Sequence, residues 1–231
     1  MKRTKSGGRS ALGIASAVLG FLWLLGCFGG GQGWFPTANA AELTVPAAIQ
    51  VLKFDLSQGN LDGWKTVAGS WAIEDMAEGP NGRRVLVQRA TENAFNVIVA
   101  PGGPYAEVDV SVRFKPMSGR EDASGGIVFR FSAGHYYVVR ANALEGNFRL
   151  YYYDRGRHQL ASARVQPPAL GQWHTLRVVA VGDHIQAYLH DTLLLDHRDS
   201  RFQSGQVGLW TKADSITAFD DLEVRGVRAG G

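Results

Sequence analysis

The sequence predicts an all-β domain, a single sandwich, behind a short apolar leader. Three observations carry this. From about Val51 onward, apolar and polar residues alternate over runs of five to ten, the period-two pattern of half-buried strands. Turn-forming segments interrupt the runs: Gly59-Asn60, Gly79-Pro80-Asn81-Gly82, Gly102-Gly103, Glu145-Gly146-Asn147, Asp154-Arg155-Gly156, Pro167-Pro168 and Gly182-Asp183. Each supplies the positive or fixed φ that a tight turn needs. No window of ten or more residues after residue 50 holds a clean 3.6-residue period. A dozen strands in about 175 residues suit one sandwich and not two domains.

The leader comes first. Residues 1–40 contain Lys2, Arg3, Lys5 and Arg9 and no acidic residue, then an uncharged apolar run over 11–28, then Ala38-Asn39-Ala40 before Ala41. A basic start, an apolar middle and a small-x-small end make a secretory signal. The run is also near the roughly 20 residues that span a bilayer, so an uncleaved anchor is a second reading. Leu24-Leu25-Gly26-Cys27 resembles a lipoprotein box, a third. All three place the remainder outside the cytoplasm, whether secreted, periplasmic or membrane-anchored. Residues 41–50 read as linker and 51–227 as the domain.

The leader also accounts for the net charge. Of 24 Lys+Arg, four lie in residues 1–40, leaving 20 against 21 Asp+Glu. Binders of nucleic acid or anionic membrane keep a basic excess in the folded domain, where phosphate neutralisation supplies affinity. Both classes are excluded, and contact with a membrane is expected only through the leader. The single cysteine, Cys27, is in the leader too, which leaves the domain without a disulfide or a Cys-based zinc site.

The strands are expected at 69–75, 84–88, 95–100, 105–115, 125–131, 135–143, 147–153, 158–165, 173–181, 183–190, 206–212 and 216–225. In 105–115, Ala106, Val108, Val110, Val112 and Phe114 share one face, while Tyr105, Glu107, Asp109, Ser111 and Arg113 share the other. One face packs and the other meets water. In 173–181, Leu176 and Val178 fall on one side and Val179 and Val181 on the other, as in a mid-sheet strand. Edge strands with charged faces point to a monomer.

Several segments carry a family resemblance: Phe54-Asp55, Leu61-Asp62-Gly63-Trp64, Gly69-Ser70-Trp71, Gly125-Gly126-Ile127-Val128-Phe129-Arg130, Trp173-His174-Thr175-Leu176-Arg177-Val178, and Val207-Gly208-Leu209-Trp210 leading to Phe219-Asp220-Asp221-Leu222. In this order they resemble the 3-keto-disaccharide hydrolase domain, one of the concanavalin A-like and laminin G-like sandwiches, over residues 52–226. The resemblance implies a jelly roll of two curved antiparallel sheets whose concave face handles sugars. The two-carboxylate strand of some glycoside hydrolases in this fold, Glu-x-Asp-x-x-Glu, is not matched: Glu107-Val108-Asp109-Val110-Ser111-Val112 ends in valine, and a retaining mechanism needs both carboxyls.

Charge inside strands marks the candidate site. Arg130 ends a core-like run, Arg140 and Asn142 follow Val138-Val139, and Trp210 and Lys212 alternate with Leu209 and Thr211. Burying an unpaired cation costs several kcal/mol, so these groups are paired or face a ligand. Arg130, Arg140, Asn142 and Lys212 would donate to the hydroxyls of a glycoside, with Trp210 stacking on its ring. The structural alternative pairs the arginines with Glu145, Asp122 or Asp214 and puts Trp210 in the core. If the domain is catalytic, the resemblance implies a 3-keto-glycoside, whose acidified C–H needs one base and an oxyanion stabiliser. Glu145 or His135 is the candidate base and Arg140 the stabiliser. Asp55, Asp220 and Asp221 would meet if the terminal strands pair, and hard oxygen ligands suit a structural Ca2+ or another divalent ion. The rival function is a non-catalytic envelope adhesion module with no sugar site.

Overall fold

The computed structural model describes residues 40–46, 50–54, 60–92 and 94–230. The leader with Cys27, and Asp55, lie outside them. In chain order the strands are β1 (Gln50–Lys53), β2 (Lys65–Ala68), β3 (Trp71–Gly79), β4 (Gly82–Gln88), β5 (Phe95–Val99), β6 (Tyr105–Ser118), β7 (Ser124–Ser132), β8 (His135–Asn142), β9 (Asn147–Tyr153), β10 (Arg157–Arg164), β11 (His174–Val181), β12 (His184–Leu189), β13 (Thr192–Arg198), β14 (Gln206–Lys212) and β15 (Ile216–Arg228). No helix occurs among the described residues.

The strands form two antiparallel sheets. The first runs β13-β12-β11-β6-β15-β4-β3, with β1 on the far half of β15, and the second runs β10-β9-β8-β7-β14-β5-β2. Strands distant in sequence meet in both, β6 beside β15 and β7 beside β14, so each sheet is complete only when β14 and β15 are in place. The core between the sheets is built from one parity of each strand: Val108, Val110, Val112 and Phe114 of β6, Leu176, Val178 and Ala180 of β11, Ile127 and Phe129 of β7, Leu209 of β14.

The expected alternation in β6 holds from Glu107 onward and fails at Tyr105 and Ala106, where the pairing with β15 shifts between Val227 and Arg228. Tyr105, assigned to the wet face, is buried, because Gly102, Gly103 and Gly226 leave its ring a slot in which a Cβ at Gly226 would lie 2.4 Å from the ring. Three strands carried no sequence signal. β1 and β2 are four-residue strands, and β13 is built on Leu193-Leu194-Leu195, a run without alternation. Ahead of β1, Ala41 and Leu43 are held against β12: Gln186 Nε2 donates to Ala41 O at 3.0 Å and Leu43 N donates to Gln186 Oε1 at 2.8 Å.

Candidate functional site

Strand alternation decides which side chains reach the outer face of the second sheet, the face turned away from the core. On β8, Tyr137, Val139 and Ala141 enter the core, while Tyr136 and Val138 pack in a separate outer cluster. Arg140 and Asn142 continue that outer parity. Register then sets their neighbours: Asn142 opposes Asn147, Arg140 opposes Arg149, Val138 opposes Tyr151 and Tyr136 opposes Tyr153. Gly126 opposes both Arg140 and Trp210, and Lys212 opposes Phe95. β10 adds Arg157 opposite Tyr153 and Arg164 opposite Asn147. Residues directly opposite one another share a face, so Arg140, Asn142, Trp210 and Lys212 lie on one surface.

Arg140 is the centre of a polar network. Its side chain is 1% exposed, and Nη2 donates to Glu145 Oε2 at 3.0 Å and to the Tyr151 hydroxyl at 3.2 Å, while Nη1 donates to Asn147 Oδ1. Asn147 Nδ2 donates to the same Glu145 oxygen at 2.7 Å, and Arg149 stands 3.5 Å from it. Asn142 shapes the turn that carries Glu145, its Oδ1 accepting from the amides of Leu144 and Glu145. Burial pushes the Glu145 carboxyl up, but the hydrogen bonds from Asn147 and Arg140 and the charges of Arg140 and Arg149 outweigh it and hold the group below the usual carboxylate value. At the end of the row, Lys212 Nζ lies 3.5 Å from Glu121 and 3.8 Å from Asp122. Burial raises Asp122 above the ordinary aspartate value against the opposing pull of Ser124, Arg140 and Lys212.

Beside the network lies an aromatic bed. Trp210 stacks on Phe95 with centroids 5.8 Å apart, Phe95 meets Tyr153 edge-on, and Tyr153 stacks on Tyr136 at 5.0 Å. The guanidinium of Arg157 covers the bed, 4.4 Å from the Tyr151 ring centre, 5.2 Å from Phe95 and 6.0 Å from Trp210. The glycine pair makes both sides of this sheet fit. A Cβ at Gly126 would lie 2.8 Å from Val139 O and 3.0 Å from Arg140 Cβ, and one at Gly125, on the core side, 2.5 Å from the Phe114 ring. Trp210, expected to stack on a sugar ring, is 0% exposed beneath Arg157; the half-buried Phe95 and Tyr153 and the donors beside them are the groups that a hydroxylated ring would meet.

Other residues marked in the sequence sit elsewhere. Arg130 has φ +51°, and the pairing of β7 with β8 slips between Phe129 and Ser132. This bulge takes Arg130 off the outer face, and its guanidinium donates to the carbonyls of Phe202, Ala106 and Gly182 at 2.7 to 3.0 Å. His135 begins β8, five residues from Arg140, or about 16 Å along a strand. It lies 3.3 Å from Asp154 in a cleft of about 340 Å3 that Arg130, Phe202 and Ser204 also line. Glu145 and Arg140 are thus brought together and His135 is not. Asp220 accepts from the amides of Asn81 and Asp221, and Asp221 accepts from the Asn81 side chain at 3.0 Å. Their expected companion Asp55 lies outside the described residues, among which no group of three or more His, Cys, Asp or Glu side chains gathers as metal ligands would.

Asn147, Arg149, Tyr151 and Arg157 belong to the site and were not marked as ligand donors in the sequence. The parity of Asn147, Arg149 and Tyr151 is visible there; which face that parity meets is not, because it depends on the pairing with β8.

A family model for the 3-keto-alpha-glucoside-1,2-lyase-like domain matches residues 53–225. The chain belongs to this family. The lyase-like domain is also 28% identical over 153 residues to the levanase of Bacillus subtilis (strain 168), covering 65% of the chain and 21% of the levanase. It spans about a fifth of that relative's length. Among solved structures, it resembles the carbohydrate binding module CBM66 from Bacillus subtilis with a TM-score of 0.60 at 24% identity, over 70% of this chain and 94% of the module. It also resembles the exoplasmic/lumenal domain of VIP36 in its Ca2+/Man3GlcNAc-bound form, with a TM-score of 0.53 at 10% identity over 74% of this chain and 87% of that one. These likenesses show the fold.

Proposed function

We propose that this domain binds carbohydrate on the outer face of the second sheet, outside the cytoplasm. The observation that carries the reading is the convergence on one face of the Arg140–Glu145–Asn147–Arg149 network and the Phe95–Trp210 bed. A levanase relative and two glycan-binding fold neighbours support it, and the basic-apolar leader supports export. In this reading Arg149 and Lys212, which are partly exposed, make the first contacts with hydroxyls, and Arg140 acts from beneath, fixing Glu145 and Tyr151. A glycan array probed with wild type and with Arg149→Ala tests it: binding by wild type that falls about tenfold in the variant, the loss of roughly one charge-assisted hydrogen bond, is expected. An array with no wild-type signal would defeat it.

The Arg140–Glu145 contact and the lyase-like family favour a second reading, elimination from a 3-keto-glycoside. Glu145 would take the proton next to the keto group, Arg140 would stabilise the enolate oxygen, and collapse would expel the glycosidic oxygen, which regains the proton. Release of alcohol from a 3-keto-glucoside, with and without EDTA, tests it. Activity lost in Glu145→Gln is the expected result, and activity equal in that variant would contradict it.

A further inference from the structure

The two outer faces of the sandwich treat charge differently. On the first sheet, Arg177 pairs with Asp109 at 2.8 Å and with Glu42 at 2.6 Å, while Glu223 takes both Lys53 at 2.9 Å and Arg225 at 2.7 Å. There the charges around Asp109 are matched. On the second sheet they are not. Five cations, Arg140, Arg149, Arg157, Arg164 and Lys212, stand on or beside the site against three carboxylates, Glu121, Asp122 and Glu145.

Arg157 and Arg164 are left without a carboxylate; Arg164 is exposed to water, and Arg157 is not. Its guanidinium rests on aromatic rings alone, and its Nη1 is buried without a partner. It is joined by other unmet donors. Arg140 Nε and Asn142 Nδ2 have no hydrogen-bond partner, in side chains that are 1% and 0% exposed. A buried donor left unpaired is costly, and here Arg157 Nη1, Arg140 Nε and Asn142 Nδ2 are unmet on one face. An acceptor-rich ligand relieves such a face, and an anion relieves it most, because a guanidinium fork takes a carboxylate at two points.

From this we infer that the glycan this face takes is acidic, a uronate-containing chain whose carboxylate lies against the free edge of Arg157. The inference rests on the carbohydrate reading above. Arg157 then holds two positions: in the free protein it lies on Tyr151, Phe95 and Trp210, and in the complex it turns to the carboxylate and opens the rings to the sugar.

The test is calorimetric titration of the purified protein with oligogalacturonate, alginate and glucuronan fragments, each beside the same chain with its carboxyls reduced to neutral CH2OH, and beside dextran sulfate. At least one uronate is expected to bind about tenfold more tightly than its reduced form and to weaken with salt. Arg157→Gln should erase that difference, the acidic and reduced chains then binding alike, and Arg157→Lys should restore part of it. Far-ultraviolet circular dichroism checks that both variants fold. Equal binding of acidic and reduced chains, or a preference unchanged in Arg157→Gln, overturns the inference and leaves the carbohydrate reading standing. Binding confined to dextran sulfate overturns the carboxylate. No binding to these chains or to any neutral glycan overturns both readings.

Discussion

Arg140 illustrates how one buried charge organises a surface. Its guanidinium is tied to Glu145, Asn147 and Tyr151, so removing one partner leaves the rest in place, whereas removing Arg140 strips all three. Arg140→Ala is expected to destabilise the fold by about 3 kcal/mol, and Glu145→Gln by about 1 kcal/mol or less because that carboxylate is 42% exposed and water screens it. The pH dependence follows from the direction of the shift. Glu145 titrates below its ordinary value, so its contribution is complete above the unfolded value of about 4.3 and is lost as pH falls through the lower folded value. Urea melts of wild type and Glu145→Gln should therefore differ at neutral pH and converge in acid. Trp210 stands differently from what its sequence position suggested. It lies on the face of the candidate site but is 0% exposed, so Trp210→Ala is expected to cost about 3 to 5 kcal/mol through the cavity it leaves. A thermal melt of that variant, about as stable as wild type, would show that the ring does not fill the bed.

Among the elements, β7 was legible for its glycines and misread at its end. Gly125-Gly126 carries backbone close enough to Phe114 on one side and Arg140 on the other that any Cβ collides. Gly126→Ala is expected to destabilise by about 1 to 3 kcal/mol and to weaken glycan binding by moving Arg140, a pairing of effects that a chemical melt and a titration on the same variant can check. The misreading concerns Arg130. Period-two counting puts it on the same face as Val128, but the bulge reverses it into a set of backbone carbonyls, and a bulge leaves no mark in a single sequence. The segment before β1 adds a local test. Gln186 clamps Ala41 and Leu43 through two hydrogen bonds and, itself 0% exposed, also bonds Asp196 and the Tyr188 hydroxyl, so Gln186→Ala is expected to remove hydrogen-exchange protection at the Leu43 amide and to lower global stability by about 1 to 3 kcal/mol.

For the molecule as a whole, the all-β class, two sheets and mid-sheet β11 followed from alternation and turns, since both are local. The partners across each sheet did not. β6 meets β15 and β7 meets β14 across roughly 75 to 125 residues of sequence, and such pairings decide that Arg140, Asn142, Trp210 and Lys212 share a surface while His135 stands at the other end of its strand. The polar residues of β9 and β10 that complete the site were invisible for the same reason. The central claim is that this surface of the second sheet holds the glycan, and chemical-shift mapping of the isotope-labelled protein with an array-selected oligosaccharide tests it most directly. Shifts gathered on Arg140, Asn147, Arg149, Arg157 and the Trp210 indole, with the outer face around Asp109 and Arg177 unmoved, are the expected result; shifts gathered around Asp109 and Arg177, or in the cleft of His135 and Asp154, would contradict it.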